Sequence, residues 1–262
     1  MVGTYINKQL DVFNRYLERV SANTNMDDVH KLRVAIRKLR TLLSVFDHAQ
    51  ITTGRKEDFT LLAGSLFALA GRLRDAQVNQ QLLSNRKAGY LLPYVNYLKG
   101  AQKRAMRLLV KEIAAFEPSR MERLLNECLL QAQALTDEQL LAAIWDYIRY
   151  KLEKINRLVQ AGTNDQQLHK IRVQLKPVND SLNFLKADGL PVKPGIPFGE
   201  ISKMTEQLGN WHDALVLQKS LKAYSRRHAS GQGRRYFEKL ILRHRAECDH
   251  RHDEIVKGLQ RF

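Results

Sequence analysis

The run His30-Lys31-Leu32-Arg33-Val34-Ala35-Ile36-Arg37-Lys38-Leu39-Arg40 decides how this chain reads. Leu32, Ile36, Leu39 and Leu43 recur at the spacing of one buried helix face. At about 100° per residue, His30, Arg33, Arg37 and Arg40 fall within about 80° of one another, beside that face. Lys31 and Lys38 lie together on another side, and Val34, Thr41 and Val45 fill the gap between them and the His/Arg stripe. The stripe has apolar neighbours on both flanks, so it is expected to be recessed. Recessed cations need partners, because a buried unpaired charge is costly. The partner is either a set of acidic side chains or a bound anion.

The pattern returns 139 positions on, as His169-Lys170-Ile171-Arg172-Val173-Gln174-Leu175-Lys176. His169, Arg172 and Lys176 form its stripe, and Ile171, Leu175, Val178 and Leu182 its core face. A second landmark repeats at nearly the same offset: Gly71-Arg72-Leu73-Arg74-Asp75 maps onto Gly209-Asn210-Trp211-His212-Asp213, 138 positions apart. Two landmarks with almost one offset predict a duplicated chain. The halves are 1–134 and 135–262, each a bundle of about four helices, related by a pseudo-two-fold. The second copy is degraded. Asn179 stands at the place of Arg40, and Pro177 replaces Lys38 and is expected to bend the helix. Asp75 and Asp213 are expected to orient a stripe Arg or His; the competing reading is ordinary pairing within the helix, such as Arg72 with Asp75.

Composition agrees with an all-α fold. The 262 residues include only 14 Gly and 6 Pro, 44% are hydrophobic, and good helix formers dominate. Lys and Arg number 43 against 27 Asp and Glu, a formal charge of +16. Mixed, solvated helix faces would balance the signs. An excess of this size raises the local concentration of nucleic acid, anionic lipid or polyphosphate. Cys128 and Cys248 form no CxxC and no disulfide framework. The first ten residues lack the apolar core of a signal peptide, and no apolar run approaches the roughly 20 residues that span a bilayer. A cytoplasmic protein without a membrane partner is expected.

Along the chain, helices are expected over about 4–20, from Asp27 or Asp28 as cap to about Asp47, over 57–85, and from the Pro93 region to Phe116. Others follow over 119–134, from a Thr136 cap to about Ala161, over the second signature stretch, over 200–228 and to the C-terminus. Turns are read at 51–54, at Lys87-Ala88-Gly89, through the proline-rich 188–199, and at Gly231-Gln232-Gly233.

Arginine suits phosphate because its planar fork donates two parallel hydrogen bonds, and cations spaced along a helix suit a ligand with repeated negative groups. A histidine among phosphates would be held more protonated. The candidate contacts are His30, Arg33, Arg37, Arg40, His169, Arg172 and Lys176, joined by Arg72, Arg107 and Lys154 on other helices.

These residues resemble the CHAD family, whose hallmark is His-x-x-Arg-x-x-x-Arg/Lys-x-x-Arg on the second helix of each half. A Leu-Gly-x-x-x-Asp element follows later in each half. Leu208-Gly209 with Asp213 fits that element fully, and Ala70-Gly71 with Asp75 fits apart from its first residue. The resemblance implies two four-helix bundles around a basic central cavity. It also implies binding of inorganic polyphosphate, with phosphate or sulfate as mimics, and association with polyphosphate granules. No catalysis, cofactor or metal is implied.

Three rivals were weighed against it. His212-Asp213 resembles the His-Asp pair of metal-dependent phosphohydrolases, but those need further ligands, and the repeat equates His212 with Arg74. His244, Cys248 and His252 are spaced at i, i+4 and i+8, too far along the axis for one metal to take all three; a polar helix face is the plainer reading. Nucleic acid is the second choice of partner, since it shares the phosphate chemistry but no motif for it is present. Oligomeric state is not legible.

Overall fold

The computed structural model describes residues 2–23, 25–84, 89–187, 189–190 and 197–260. Among them every regular element is helical. In order these are α1 (Val2–Ala22), α2 (Met26–His48), α3 (Arg55–Leu83), α4 (Leu92–Ala115), α5 (Pro118–Gln133), α6 (Asp137–Gln160), α7 (Asp165–Ala187), α8 (Phe198–His228) and α9 (Gly231–Leu259). A single 3-10 turn, Gly89–Leu91, leads into α4. Among the described residues no helix is long and apolar enough to cross a membrane.

The ends of the helices have local chemical causes. Asn25, not Asp27 or Asp28, caps α2: its side chain accepts the Asp27 N–H at 2.9 Å. The two aspartates fall in the first turn, where a carboxylate complements the helix dipole. Asp47, at the far end of α2, accepts the backbone N–H groups of Arg55 (3.2 Å) and Lys56 (2.9 Å) and so starts α3. Gly54, at φ 72°, makes the left-handed turn between them. Thr136 and Gln139 form a reciprocal capping box at the start of α6. Gly231-Gln232-Gly233 is the first turn of α9 and not a separate turn, as Ser230 already takes the capping position. The expected turn at 87–89 and the loop at 188–199 lie largely outside the described residues. Helix α7 runs through Pro177 without interruption, although Pro177 has no N–H to give the carbonyl four residues back.

Two compact units are present. The first comprises residues 1–74, 103–154 and 176–196, and the second 75–102, 155–175 and 197–262. Each therefore draws on both sequence halves, so compactness does not follow the boundary between 134 and 135. In the first unit α1 packs on α2 and α5. Its core holds Ile6, Phe13, Phe46, Phe59 and Leu66, with Leu32, Ile36, Leu39 and Leu43 buried as the periodicity predicts. In the second unit α8 packs on α9. An aromatic cluster there joins Tyr94, Tyr224 and Phe237 to Leu217, Leu221 and Leu240.

The α2 core face has the least room to adapt. Leu39→Ala should lower unfolding free energy by about 2–5 kcal/mol, the usual loss for a fully buried leucine, in urea titration followed by circular dichroism.

Candidate functional site

In the first unit, burial of the leucine face of α2 turns the His30/Arg33/Arg37/Arg40 stripe toward α3, α6 and the C-terminal part of α7. The apolar anchor of the stripe is Phe67 on α3. The Arg33 guanidinium lies 3.8 Å from the Phe67 ring centroid, and its Nη1 donates to the Phe67 carbonyl at 3.1 Å. Arg40 lies 4.6 Å from the same centroid. One aromatic ring thus holds two cations seven residues apart, each contact contributing about 0.5–2 kcal/mol. Gly71 lies one turn further along α3, where a Cβ would stand 3.3 Å from Arg33 Nη1. A glycine there leaves the guanidinium room to lie flat.

Arg37 has a different partner. Its Nε and Nη2 donate to the two carboxylate oxygens of Asp180 on α7, at 2.8 and 2.9 Å. The Asp180 side chain is only 5% exposed. Of the two kinds of partner open to the stripe, acidic side chains or a bound anion, Arg37 has the first, in a residue that sequence reasoning missed. Asp180 lies 139 positions after Thr41, in the second signature helix itself, where only cations were sought.

The remaining cations create a positive field that His30 senses. Its pKa is lowered from the ordinary histidine value, first by burial and then by Arg74, Arg37 and Arg33; Asp27 opposes them weakly. Burial and the neighbouring arginines therefore favour the neutral imidazole, the opposite of the state expected of it among phosphates. Burial likewise lowers Arg40, followed by Arg37, but an arginine stays charged at any ordinary pH. Arg74 joins the site, and sequence reasoning had favoured its neighbour Arg72. Two residues along a helix is a rotation of about 200°. Arg72 is exposed and Arg74 half-buried.

The basic surface continues along α6. Tyr147 is hydrogen-bonded to Ser44 and lies in the field of Arg40, and burial raises its phenol to about 12. Lys151 Nζ lies 5.2 Å from the Tyr147 centroid and 5.7 Å from that of Tyr150. Lys154 Nζ lies 4.4 Å from the Tyr150 centroid. Burial, then Lys154 and Lys56, push Lys151 down to about 8. Lys154 was among the sequence candidates, and Lys151 was not; its aromatic neighbours at i−4 and i−1 were the available signal.

The other candidates are distributed differently. Arg107 is exposed on α4. Lys176 belongs to the first unit, one turn before Asp180. His169 and Arg172 belong to the second unit, with His212 and Asp213. There the His169 and His212 rings are 5.3 Å apart. Asp75 is the first residue of that unit and is exposed.

His244 and Cys248 are buried, not on a polar face, and His252 contacts the Thr163 carbonyl at 2.6 Å. Among the described residues no group of three or more His, Cys, Asp or Glu side chains could hold a metal ion.

The CHAD domain family model matches residues 4–222. Two solved structures share the fold. One is the crystal structure of the CHAD domain from the plant Ricinus communis, with TM-score 0.74 and 17% identity, over 98% of this chain and 89% of that one. The other is PptA from Streptomyces chartreusis, with TM-score 0.64 and 17% identity, over 98% and 95%. At this identity both bear on fold alone. No curated protein matches the chain.

Two outcomes are expected of this geometry. A bound polyanion reverses the field at His30, raising a pKa that starts below 6.5. Binding should therefore take up a proton between the free and bound pKa values, and affinity should rise as pH falls from 7.5 toward 5.5. Calorimetry in two buffers of different ionisation enthalpy reads the uptake, and His30→Gln should remove that share of it. Phe67→Leu should weaken anion binding by about three- to tenfold in the same titration, with the helix content kept, because both guanidiniums lose the ring and Arg33 keeps its bond to the main-chain carbonyl of residue 67.

Proposed function

Because the chain belongs to the CHAD domain family, we propose that it binds inorganic polyphosphate without catalysis of its own. The α2 stripe and its continuation along α6 form the binding surface. The observation that supports this is the cluster of arginines on one face of α2, with Arg33 and Arg40 both over the Phe67 ring and Arg74 close to His30. Several cations held close together make a surface that an anion stabilises. The cations are also spaced along helices: Arg33 and Arg40 two turns apart on α2, Lys151 and Lys154 one turn apart on α6. A chain of repeated phosphates meets such a series in succession, while a single phosphate meets only one or two members.

The two sequence halves are, on this reading, copies of one four-helix plan, and the protein attaches to polyphosphate granules in the cytoplasm. A second reading is favoured by the shared chemistry of phosphodiesters: a general polyanion binder that includes nucleic acid. The α2 stripe offers one aromatic ring, Phe67, covered by two guanidiniums, and on α6 Tyr147 is buried and Tyr150 is stacked on His48. Bases therefore find little to stack on there, which favours polyphosphate.

A competition titration separates the two. Long-chain polyphosphate should displace labelled DNA of equal charge at a clearly lower concentration, and affinity should fall with salt. Equal affinities would leave only the general binder. Arg33→Gln with Arg40→Gln should reduce polyphosphate affinity by at least about tenfold, at roughly 1 kcal/mol or more per charge-assisted contact. Arg37 is unsuitable for this test, since its loss strands the Asp180 carboxylate. Release of phosphate from polyphosphate in the presence of magnesium would overturn the non-catalytic reading.

A further inference from the structure

Within the second unit, one surface combines open aromatic rings with uncompensated positive charge. Tyr90 is 46% exposed and Tyr97 38%. Both stand at the rim of the cluster that holds Tyr94, Tyr224 and Phe237. The Tyr97 ring lies 6.3 Å from that of Tyr94, nearly parallel at 17°, and 5.5 Å from the His228 ring. The Tyr90 ring lies 5.6 Å from that of Tyr236, and its hydroxyl donates to the Gln232 side-chain oxygen at 2.8 Å. These contacts fix the two rings without covering them. Among the described residues no lysine or arginine lies over either one, in contrast to Phe67 and Tyr150.

The charge around them has one sign. Between Ala214 and Ala246 nine lysines and arginines stand against one acid, Glu238. Lys239 and Arg243 follow Tyr236 by one and two turns of α9, within about 60° of it round the helix. Arg227 and His228 follow Tyr224 by one turn, at the exposed end of α8. The carboxylates that pair on α9 do so further along it, Glu247 with Arg251 and Asp249 with Arg245. Among the described residues none is paired with Arg227, Lys239 or Arg243.

We propose that this surface binds single-stranded nucleic acid. Unpaired bases stack on the Tyr90 and Tyr97 rings, and the phosphates of the strand lie against Arg227, Lys239 and Arg243. Every base has a π-face, so binding of this kind tolerates any sequence. Charge decides between this ligand and a proline-rich peptide, which also docks on aromatic rings but brings no negative groups to the cations. Duplex DNA gains nothing from the rings, since its bases are stacked inside. The surface draws on no residue of α2 or α6, so the proposal stands whether or not those helices hold polyphosphate.

The test follows two labelled strands on the full chain by fluorescence anisotropy: a short oligodeoxythymidylate, and an abasic strand of equal length and charge. The two carry the same phosphates, so their difference reads the bases alone. The base-bearing strand should bind on the order of tenfold more tightly. Tyr90→Ser with Tyr97→Ser should abolish that advantage, and Tyr90→Phe with Tyr97→Phe should keep it, with thermal melting confirming the fold. Lys239→Gln with Arg243→Gln should weaken both strands and flatten their dependence on salt. Arg33→Gln with Arg40→Gln should leave the ratio of the two affinities unchanged, which separates this surface from the α2 stripe. Equal affinities for the two strands would overturn the proposal. So would an advantage that survives in the serine variant, or one that disappears with Arg33 and Arg40. A labelled proline-rich peptide that binds more tightly than the oligonucleotide, and is lost in the serine variant, would overturn the assignment to nucleic acid.

Discussion

The bidentate bond between Arg37 and Asp180 is the interaction on which the basic site depends. It joins α2 to α7, residues 143 positions apart, at 2.8 and 2.9 Å. Asp180 is almost fully buried, so it is tolerated only while Arg37 faces it; stranding such a carboxylate costs about 3–5 kcal/mol. A two-pronged bond has directional demands that a point charge lacks. It therefore fixes the rotation of α2 about its axis. With Arg37 so held, Arg33 and Arg40, one turn to either side, have little choice of direction. Both meet Phe67.

The stripe then divides into cations with different work. Arg37 is neutralised by a carboxylate and serves the fold. Arg33 and Arg40 are held by a ring, and a ring orients a guanidinium without cancelling its charge. That distinction matters for a binding surface. A cation fixed by an acid must give up that acid before it can serve a ligand fully, whereas a cation fixed over an aromatic face keeps its donors and its field. The α6 surface uses the same device, with Tyr147 and Tyr150 beneath Lys151 and Lys154. The pKa values of His30 and Lys151 are both lowered, first by burial and then by neighbouring cations.

Much of this was legible in the sequence. Helical periodicity located the buried face of α2 correctly, since Leu32, Ile36, Leu39 and Leu43 are all core. The Thr136 cap and the span 119–134 gave the starts of α6 and α5 to within a residue. The partial burial of Arg33, Arg37 and Arg40 followed from the apolar flanks of the stripe, whereas His30, expected to be recessed with them, is exposed. The identity of the stripe's partners did not follow, because a helix wheel describes one helix and the partners come from others. Phe67 read as one more apolar residue of α3. Arg72 and Arg74 were indistinguishable until the rotation of α3 was known. The compact units were also hidden: a repeated motif in the sequence says nothing of how the chain packs, and each unit draws on residues from before and after position 134. A call for a polar face at His244 and Cys248 failed for a related reason, as a basic terminal helix still needs one side to bury.

The two signature helices differ at two adjacent positions. Where the first has Arg40, the second has Asn179; where the first has Thr41, the second has Asp180. One helix carries the cation and the other the acid. The glycines differ too. A Cβ at Gly71 would press on Arg33, while a Cβ at Gly209 would meet open space. A pair of identical basic helices would repel each other, and each would need an outside anion before it could be buried. An aspartate in one of the two helices removes that requirement. The carboxylate ties the second helix to Arg37, so α2 can hold its remaining cations recessed in the absence of ligand. The weakening of the second stripe is thus part of what allows the first to remain charged and in place.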